Sequence, residues 1–186
     1  MEKLFNALNR YIPISEASKQ LIAQCFVHKH IPKGTILVQG HQTARYFYWL
    51  VKGTMRGRIN PKGELITTWF ATDNMFCSSM TSFISRKPTG ESIEALEDCE
   101  VYCISRHDVL RLFKQTTEMS SIVRQMAEEG FVHALNRTYQ FQYLSAKERY
   151  ELFVKHYPKL LQKIPLGMIA TYIGITQQSL SRIRKK

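Results

Sequence analysis

The chain has 186 residues, a formal net charge of +11, 44% hydrophobic residues and 22% charged residues. This composition is typical of a globular protein, and the length allows one substantial core with a small appended domain. No segment approaches the roughly 20 apolar residues of a membrane span and no secretory signal is recognisable, so we expect no membrane partner and a cytoplasmic location. The cysteines lack the spacing of a disulfide framework, which indicates reduced thiols at Cys25, Cys77, Cys99 and Cys103.

The first 26 residues follow a helical period that Pro13 interrupts. From residue 30 to about 105 the pattern changes to short apolar runs that alternate with turn signals. Such short, evenly spaced strands predict an all-β sandwich or barrel that hides its edges, with a hairpin tip at residues 60–63. The apolar runs lie at residues 36–38, 46–51, 65–70, 93–96 and 101–104.

Beyond the last run the helical period returns, and no proline occurs between Asp108 and Tyr157. We therefore expect one long helix over about residues 120–142. Its apolar positions recur at steps of three and four residues and include Ile122 and Met126. Such a stripe either packs on the protein's own β core or pairs with the same helix of a second copy. We expect a homodimer through this helix, with Ile122 and Met126 on the dimer seam.

The last quarter of the chain carries most of the excess charge. Residues 141–186 contain nine lysines and arginines against two glutamates. A local basic field of this kind is suited to a polyanion such as nucleic acid. A solvated basic tail would give the same charge, so charge alone leaves both interpretations open.

The final segment, IPLGMIATYIGITQQSLSRIRKK, has the residue pattern of a helix-turn-helix. Ala170 is small enough for a close helix crossing, and Gly174 can enter the left-handed conformation that the turn requires. Thr176 is a favourable N-cap for the second helix, and Leu180 lies on that helix's apolar face. A generic helical hairpin with a polar surface is the alternative.

The exposed face of the second helix carries side chains suited to the major groove of DNA. Gln can form two hydrogen bonds with adenine and Arg can form two with guanine, while hydroxyl and N–H groups at a helix start can bind a phosphate. The predicted DNA-binding residues are Thr176, Gln177, Gln178, Ser179, Ser181, Arg182, Lys185 and Lys186.

Together these features resemble the Crp/Fnr family of bacterial transcription regulators. The segment IPKGTILVQGHQTARYFYWLVKG, which opens with Pro32, Gly34, Leu37 and Gly40, is similar to that family's cyclic-nucleotide-binding-type sensor domain. IEALEDCEVYCISR resembles the closing strands of the sensor. SLSRIRKK resembles the recognition helix of the subgroup common in Bacteroidota.

The resemblance implies an α+β fold in three parts. N-terminal helices and a double-stranded β-helix (jelly-roll) sensor occupy residues 1–115, a connecting and dimerising helix residues 116–144, and a helix-turn-helix domain residues 145–186. The implied function is that of a homodimeric transcription regulator, not an enzyme, with double-stranded DNA, a small-molecule effector and RNA polymerase as partners. The family's base-reading positions fall on Gln177, Gln178 and Arg182.

Two departures from the family pattern bear on the effector and on affinity. Members that bind cyclic nucleotides use a Gly-Glu pair for the ribose and an Arg-Ser pair for the phosphate. The corresponding effector-pocket positions here are Ser78, Ser79, Thr89 and Gly90. Because a buried phosphate without a cation partner is costly, we expect no response to cyclic AMP. The family's β wing does not follow the recognition helix, so we also expect modest DNA affinity.

Two rival interpretations have weaker support. His28, His30 and His41 could mark a metal-dependent jelly-roll enzyme, but no carboxylate at a suitable spacing accompanies them. The spacing of Cys99 and Cys103 favours packing thiols over an iron–sulfur cluster, so no metal or cofactor is predicted. The other rival is a sensor or scaffold that dimerises without binding DNA.

Overall fold

The computed structural model describes residues 1–185, which form nine helices and eight strands. The helices are α1 (Glu2–Leu8), α2 (Glu16–Cys25), α3 (Met80–Ser85), α4 (Arg106–Gln115), α5 (Thr117–Tyr143), α6 (Ala146–His156), α7 (Leu160–Lys163), α8 (Leu166–Tyr172) and α9 (Gln177–Arg184). The strands are β1 (Val27–Ile31), β2 (Ile36–Val38), β3 (Tyr46–Lys52), β4 (Met55–Ile59), β5 (Ile66–Ala71), β6 (Met75–Cys77), β7 (Ser92–Ala95) and β8 (Cys99–Ser105).

Local sequence explains where several helices begin. The helices α2, α4, α6 and α9 each follow a hydroxyl residue whose side chain accepts a hydrogen bond from the backbone N–H three residues later. This bond satisfies one of the backbone donors that a helix start leaves unpaired. The four capping residues are Ser15, Ser105, Ser145 and Thr176.

The strands form two antiparallel sheets of four strands, in the orders β1-β8-β3-β6 and β2-β7-β4-β5. This topology confirms the α+β jelly-roll prediction. The hairpin predicted at residues 60–63 is also confirmed, because it joins β4 to β5 through a short 3₁₀ turn at Pro61–Gly63. Strand β6 and helix α3 were not predicted, since their runs are too short to show a period.

The long helix predicted over residues 120–142 is observed as α5, which has 27 residues. Its first turns belong to the core of the sensor domain: Met119 and Ile122 are buried there, and Val123 and Met126 pack against it. The stripe that contains Ile122 and Met126 therefore covers the protein's own core. A helical period indicates that one face of a helix is buried, but it does not identify the surface against which that face packs.

The second half of α5 has a different surface. Six large apolar side chains are exposed between residues 131 and 143, with 65% of Phe131 and 54% of Val132 accessible to solvent. Leu135 and Tyr139 continue this surface toward the C-terminus. We call Phe131, Val132, Leu135 and Tyr139 the distal apolar face. Since α5 leaves it uncovered in the single chain, it is the part of the helix that is open to a partner.

The C-terminal helices pack directly on the sensor domain. Phe70 of β5 is buried in one cluster with Phe153, Leu160, Ile169 and Leu180 of the C-terminal helices. Helix α8 thus lies against the sheet that ends in β5 and α9 packs on α8, and we call these two helices the terminal helix pair.

Candidate nucleic-acid interface

The turn of the terminal helix pair is built around Gly174, whose φ is +74°. The Gly174 N–H donates to the carbonyl of Thr171 (3.2 Å), and the Ile175 N–H donates to the carbonyl of Ala170 (3.0 Å). These two bonds make a Schellman motif, which stops a helix and pairs its last carbonyls. Glycine adopts a left-handed φ at little energetic cost, so a glycine at position 174 favours this turn.

Helix α9 starts with a side-chain cap. The Thr176 hydroxyl oxygen accepts a hydrogen bond from the Ser179 N–H (3.2 Å), and the same hydroxyl donates to the Ser179 side chain (3.0 Å). The two hydroxyls are therefore engaged with each other in the free chain. The first turn of α9 still presents backbone N–H groups at its exposed start, where anions are favoured.

The structure places most of the predicted DNA-binding side chains on an open surface. Leu180 is fully buried, which turns the opposite face of α9 outward. Ser179 and Ser181 are partly exposed, and Lys186 lies outside the described residues. The exposed members of the predicted set are Thr176, Gln177, Gln178, Arg182 and Lys185.

Gly167 brings the two helices of the pair together in a way that the sequence analysis missed. A Cβ atom at this position would lie 3.0 Å from the side-chain oxygen of Gln177. The Gln177 amide therefore rests against the first turn of α8. Only a residue without a side chain leaves that space free.

Two arginines from outside the pair hold the end of α8, and they too were missed. Arg137 of α5 donates from Nη2 to the Tyr172 carbonyl (2.9 Å), and Arg149 of α6 donates from Nε to the Ile173 carbonyl (2.9 Å). Positive charge is favourable at the carbonyl end of a helix. We call Arg137, Arg149 and the Phe141 ring between them the arginine clamp.

Phe141 completes the clamp by packing on the turn itself. Both guanidinium groups lie 5.0 Å from its ring centre, and Arg137 also lies 4.1 Å from the ring centre of Tyr172. A Cβ atom at Gly174 would lie only 2.6 Å from Phe141 Cε1. The long helix thus contacts the turn that precedes α9. The sequence feature that could have indicated the clamp is Arg137, a charged residue within the apolar pattern of α5.

The four effector-pocket positions lie close together in the sensor domain. The Ser79 and Thr89 hydroxyl oxygens are 3.4 Å apart, and Ser78 donates to the carbonyl of Tyr46 (2.8 Å). Gly90 packs against Gly40, where a Cβ would lie 3.2 Å from the Gly90 carbonyl oxygen. The polar groups of this region are therefore satisfied within the chain.

Trp69 occupies the sheet surface next to these positions. Its indole N–H donates to Glu91 Oε1 (3.0 Å), which also accepts from the Thr68 hydroxyl (2.7 Å). The ring lies over Gly57, and any side chain at that position would overlap it. A bulky aromatic ring and a carboxylate here disfavour a phosphate.

The sensor domain also has an open cavity of about 520 Å³. Tyr46, Tyr48, Arg45 and His41 contribute to its wall, together with Pro88. The four predicted effector-pocket residues do not line it. Arg86, a cation near Thr89 in the sequence, donates to the carbonyl of Ala44 (2.7 Å).

The remaining candidates for metal or redox chemistry lie apart or are buried. Within residues 1–185, no group of three or more His, Cys, Asp or Glu side chains is arranged to hold a metal ion. All four cysteines are free and buried, and burial raises the pKa of the Cys77 thiol to about 12. Among the described helices, none is both long enough and apolar enough to cross a membrane.

Comparison with protein families identifies the sensor domain. Residues 28–116 match the family model described as "Cyclic nucleotide-binding domain". No curated protein sequence matches the chain.

Solved structures share the fold over nearly the whole chain. A proposed transcriptional regulator of the Crp/Fnr family from Eubacterium rectale aligns with a TM-score of 0.72 and 20% identity, over 95% of this chain and 86% of that one. FixK2 from Bradyrhizobium japonicum aligns with a TM-score of 0.73 and 16% identity, over 86% and 83%. The catabolite activator protein of Thermus thermophilus aligns with a TM-score of 0.61 and 16% identity, over 96% and 85%.

The structural neighbours of this chain are thus Crp/Fnr family transcription regulators, as the sequence resemblance predicted. At these identities the likeness establishes the fold alone. The Bacteroidota subgroup stays a prediction.

The turn geometry gives a test with a matched control. Gly174→Ala should destabilise the terminal helix pair, because alanine in the left-handed region costs roughly 1–2 kcal/mol and the added methyl group overlaps Phe141. Gly130→Ala, in α5 with no atom within 4 Å of the added carbon, should be neutral or stabilising by about 0.4–1 kcal/mol. Urea unfolding of both variants measures the difference. Equal stability of the two variants would show that the turn does not need glycine.

Proposed function

We propose that this protein is a DNA-binding transcription regulator of the Crp/Fnr type, in which the terminal helix pair is a helix-turn-helix and α9 is its recognition helix. The observation that carries this proposal is the capped, exposed α9, which follows a glycine turn and packs on α8, the helix that docks on β5 of the domain that matches the family model. The proposed role is not enzymatic. RNA polymerase as a partner and a cytoplasmic location belong to the same proposal.

The exposed side chains of α9 divide into two functional groups. Gln177, Gln178 and Arg182 have the planar donors and acceptors that distinguish base edges in the major groove. Thr176, Ser179, Ser181 and Lys185 are suited to phosphates, which set position and affinity without carrying sequence information. Lys186 is assigned to the phosphate group on its charge alone.

Dimerisation is proposed through the distal apolar face of α5. Two copies would pair there and place two α9 helices on successive half-sites about one helical turn apart. Apolar exposure is concentrated on this half of the helix, whereas the other half is already buried in the sensor core. The proposed dimer seam is therefore shifted by about three turns from the Ile122 and Met126 positions toward the C-terminus.

The sensor domain is proposed to respond to a small molecule other than cyclic AMP, or to none. Ser79 and Thr89 lack the charges that a cyclic nucleotide needs, and they lie within hydrogen-bonding distance of each other. Trp69 and Glu91 fill the adjacent surface. The effector-pocket residues Ser78, Ser79, Thr89 and Gly90 remain a proposed site only.

The dimer seam can be tested by charge insertion. Val132→Glu combined with Leu135→Glu should give a folded monomer, because charges on the distal apolar face prevent burial against a second copy. Ile122→Glu should instead unfold the sensor core, since Ile122 is fully buried there. Sedimentation mass together with circular dichroism separates the outcomes. A double variant that keeps the wild-type mass would exclude this face as the interface.

The recognition helix can be tested by binding-site selection on variants. Arg182→Ala should relax the preference at one guanine position by about 1–3 kcal/mol and leave other positions strict. Lys185→Ala should weaken binding evenly across sequences, because a phosphate contact reads no base. An unchanged sequence logo for Arg182→Ala would remove Arg182 from the base-reading set, even if the protein still binds DNA.

The effector prediction is tested by calorimetric titration. Cyclic AMP added to the full chain should give no saturable heat at micromolar concentrations, because no cation stands where the phosphate would lie. Trp69→Ala, which empties the neighbouring surface, should not create binding, since Thr89 still supplies no charge. Micromolar binding by the wild-type protein would contradict the proposal.

A further inference from the structure

A cavity of about 130 Å³ that is partly open to solvent lies where α5, α6 and α8 meet, and we call it the junction cavity; among the residues that line it, His133 and His156 are exposed. This volume is sufficient for a few water molecules at ~30 Å³ each. Two residues of α5, His133 and Arg137, and two residues of α6, Arg149 and His156, contribute to its wall. Tyr157 and Tyr172 form aromatic walls beside them. Four nitrogen-bearing basic side chains thus converge on one small space.

No acidic side chain lines the junction cavity. The acids nearest in sequence to its wall have other partners: Glu129 accepts a hydrogen bond from the Tyr11 hydroxyl (3.2 Å), and Glu148 caps α6 at Ser145. Glu151 lies 3.9 Å from Lys147. The positive charge around the cavity is therefore not balanced by these carboxylates.

The two arginines are held in place before any ligand arrives. Arg137 and Arg149 each donate to carbonyls at the end of α8, and Arg149 also donates to the Leu144 carbonyl (2.6 Å). A guanidinium has five N–H donors, and these bonds use only part of each set. Fixed donors with unused N–H groups lose little entropy when an anion binds.

The lowered pKa of His133 reflects burial and the positive charge around the cavity. Burial lowers the pKa of His133, and the neighbouring Arg137 and His156 lower it further. Tyr157, just after α6, faces the same space without adding a negative charge, because burial raises the pKa of its hydroxyl. Tyr172 of α8 lines the space from the other side. The space thus disfavours further positive charge and favours an anion.

We propose that the junction cavity is a binding site for a small oxyanion of the phosphate or sulfate class, with Arg137, Arg149, His133 and His156 as its ligands. Guanidinium groups match two oxygens of such an anion at once. The site is independent of whether α9 binds DNA. It lies against the end of α8, so an anion here would tighten the contact between α5 and the turn at Gly174.

The binding experiment uses inorganic phosphate and inorganic sulfate as probes, with sodium chloride at matched ionic strength as the control. Histidine ring resonances of the full chain are followed by NMR during each titration. We expect saturable shifts of His133 and His156 with phosphate and with sulfate, and none with chloride. An anion favours the charged imidazolium, so the pKa of His133 should rise on binding. Affinity should then increase as pH falls, by up to about tenfold per pH unit for one coupled proton.

Variants distinguish the site from general ionic effects. His133→Gln and His156→Gln leave the arginine clamp intact, and each should weaken binding and reduce its pH dependence. Arg124→Gln, on the same helix but paired with Glu128 (2.7 Å), should bind like the wild-type protein. The proposal is wrong if phosphate and chloride give the same histidine titration curves. It is also wrong if both histidine variants retain wild-type affinity.

Discussion

The docking of α8 on the edge strand β5 is the contact on which the architecture depends. The hydroxyl oxygen of Thr171 accepts a hydrogen bond from the backbone N–H of Thr67 (3.2 Å). This bond satisfies a backbone donor of β5 that would otherwise be unpaired, because β5 lies at the edge of its sheet. Phe70 lies 5.3 Å from Tyr172 between ring centres and 6.0 Å from Phe153. Aromatic contacts of this kind add to the stabilisation from burial. The position of α9 relative to the sensor domain follows from this contact, because the turn at Gly174 is rigid.

The same turn is held from a second direction by the long helix. The arginine clamp joins α5 to the carbonyl end of α8, and Lys163 forms an ion pair with Glu97 of the sensor domain (2.9 Å). A displacement of α5 or of β5 would therefore reach the start of α9 through direct packing. This arrangement provides a physical route by which a second copy on α5, a sensor ligand or an anion in the junction cavity could alter the proposed DNA contacts.

Much of the terminal helix pair could be predicted from sequence, because its signals are local. Gly174 sets the conformation of the turn and Thr176 caps the next helix, and both effects depend only on residues nearby in the sequence. Long-range partners were not predictable in the same way. The periodicity of α5 is compatible with a core face and with a dimer seam; the assignment of Ile122 and Met126 to the seam was wrong, because Ile122 is buried in the core and Met126 packs against it. No sequence pattern predicts the hydrogen bond between Trp69 and Glu91, which are 22 residues apart.

The most direct test of the central claim, that this chain binds DNA through a basic helix-turn-helix, is the salt dependence of its affinity for duplex DNA. Fluorescence anisotropy at several salt concentrations gives the slope of log affinity against log salt. The account predicts a steep linear fall, with a slope reduced by about one unit in Lys185→Ala, since each phosphate contact releases roughly one counterion. An affinity that does not change with salt, or no binding at low salt, would contradict it and favour a sensor that acts without DNA.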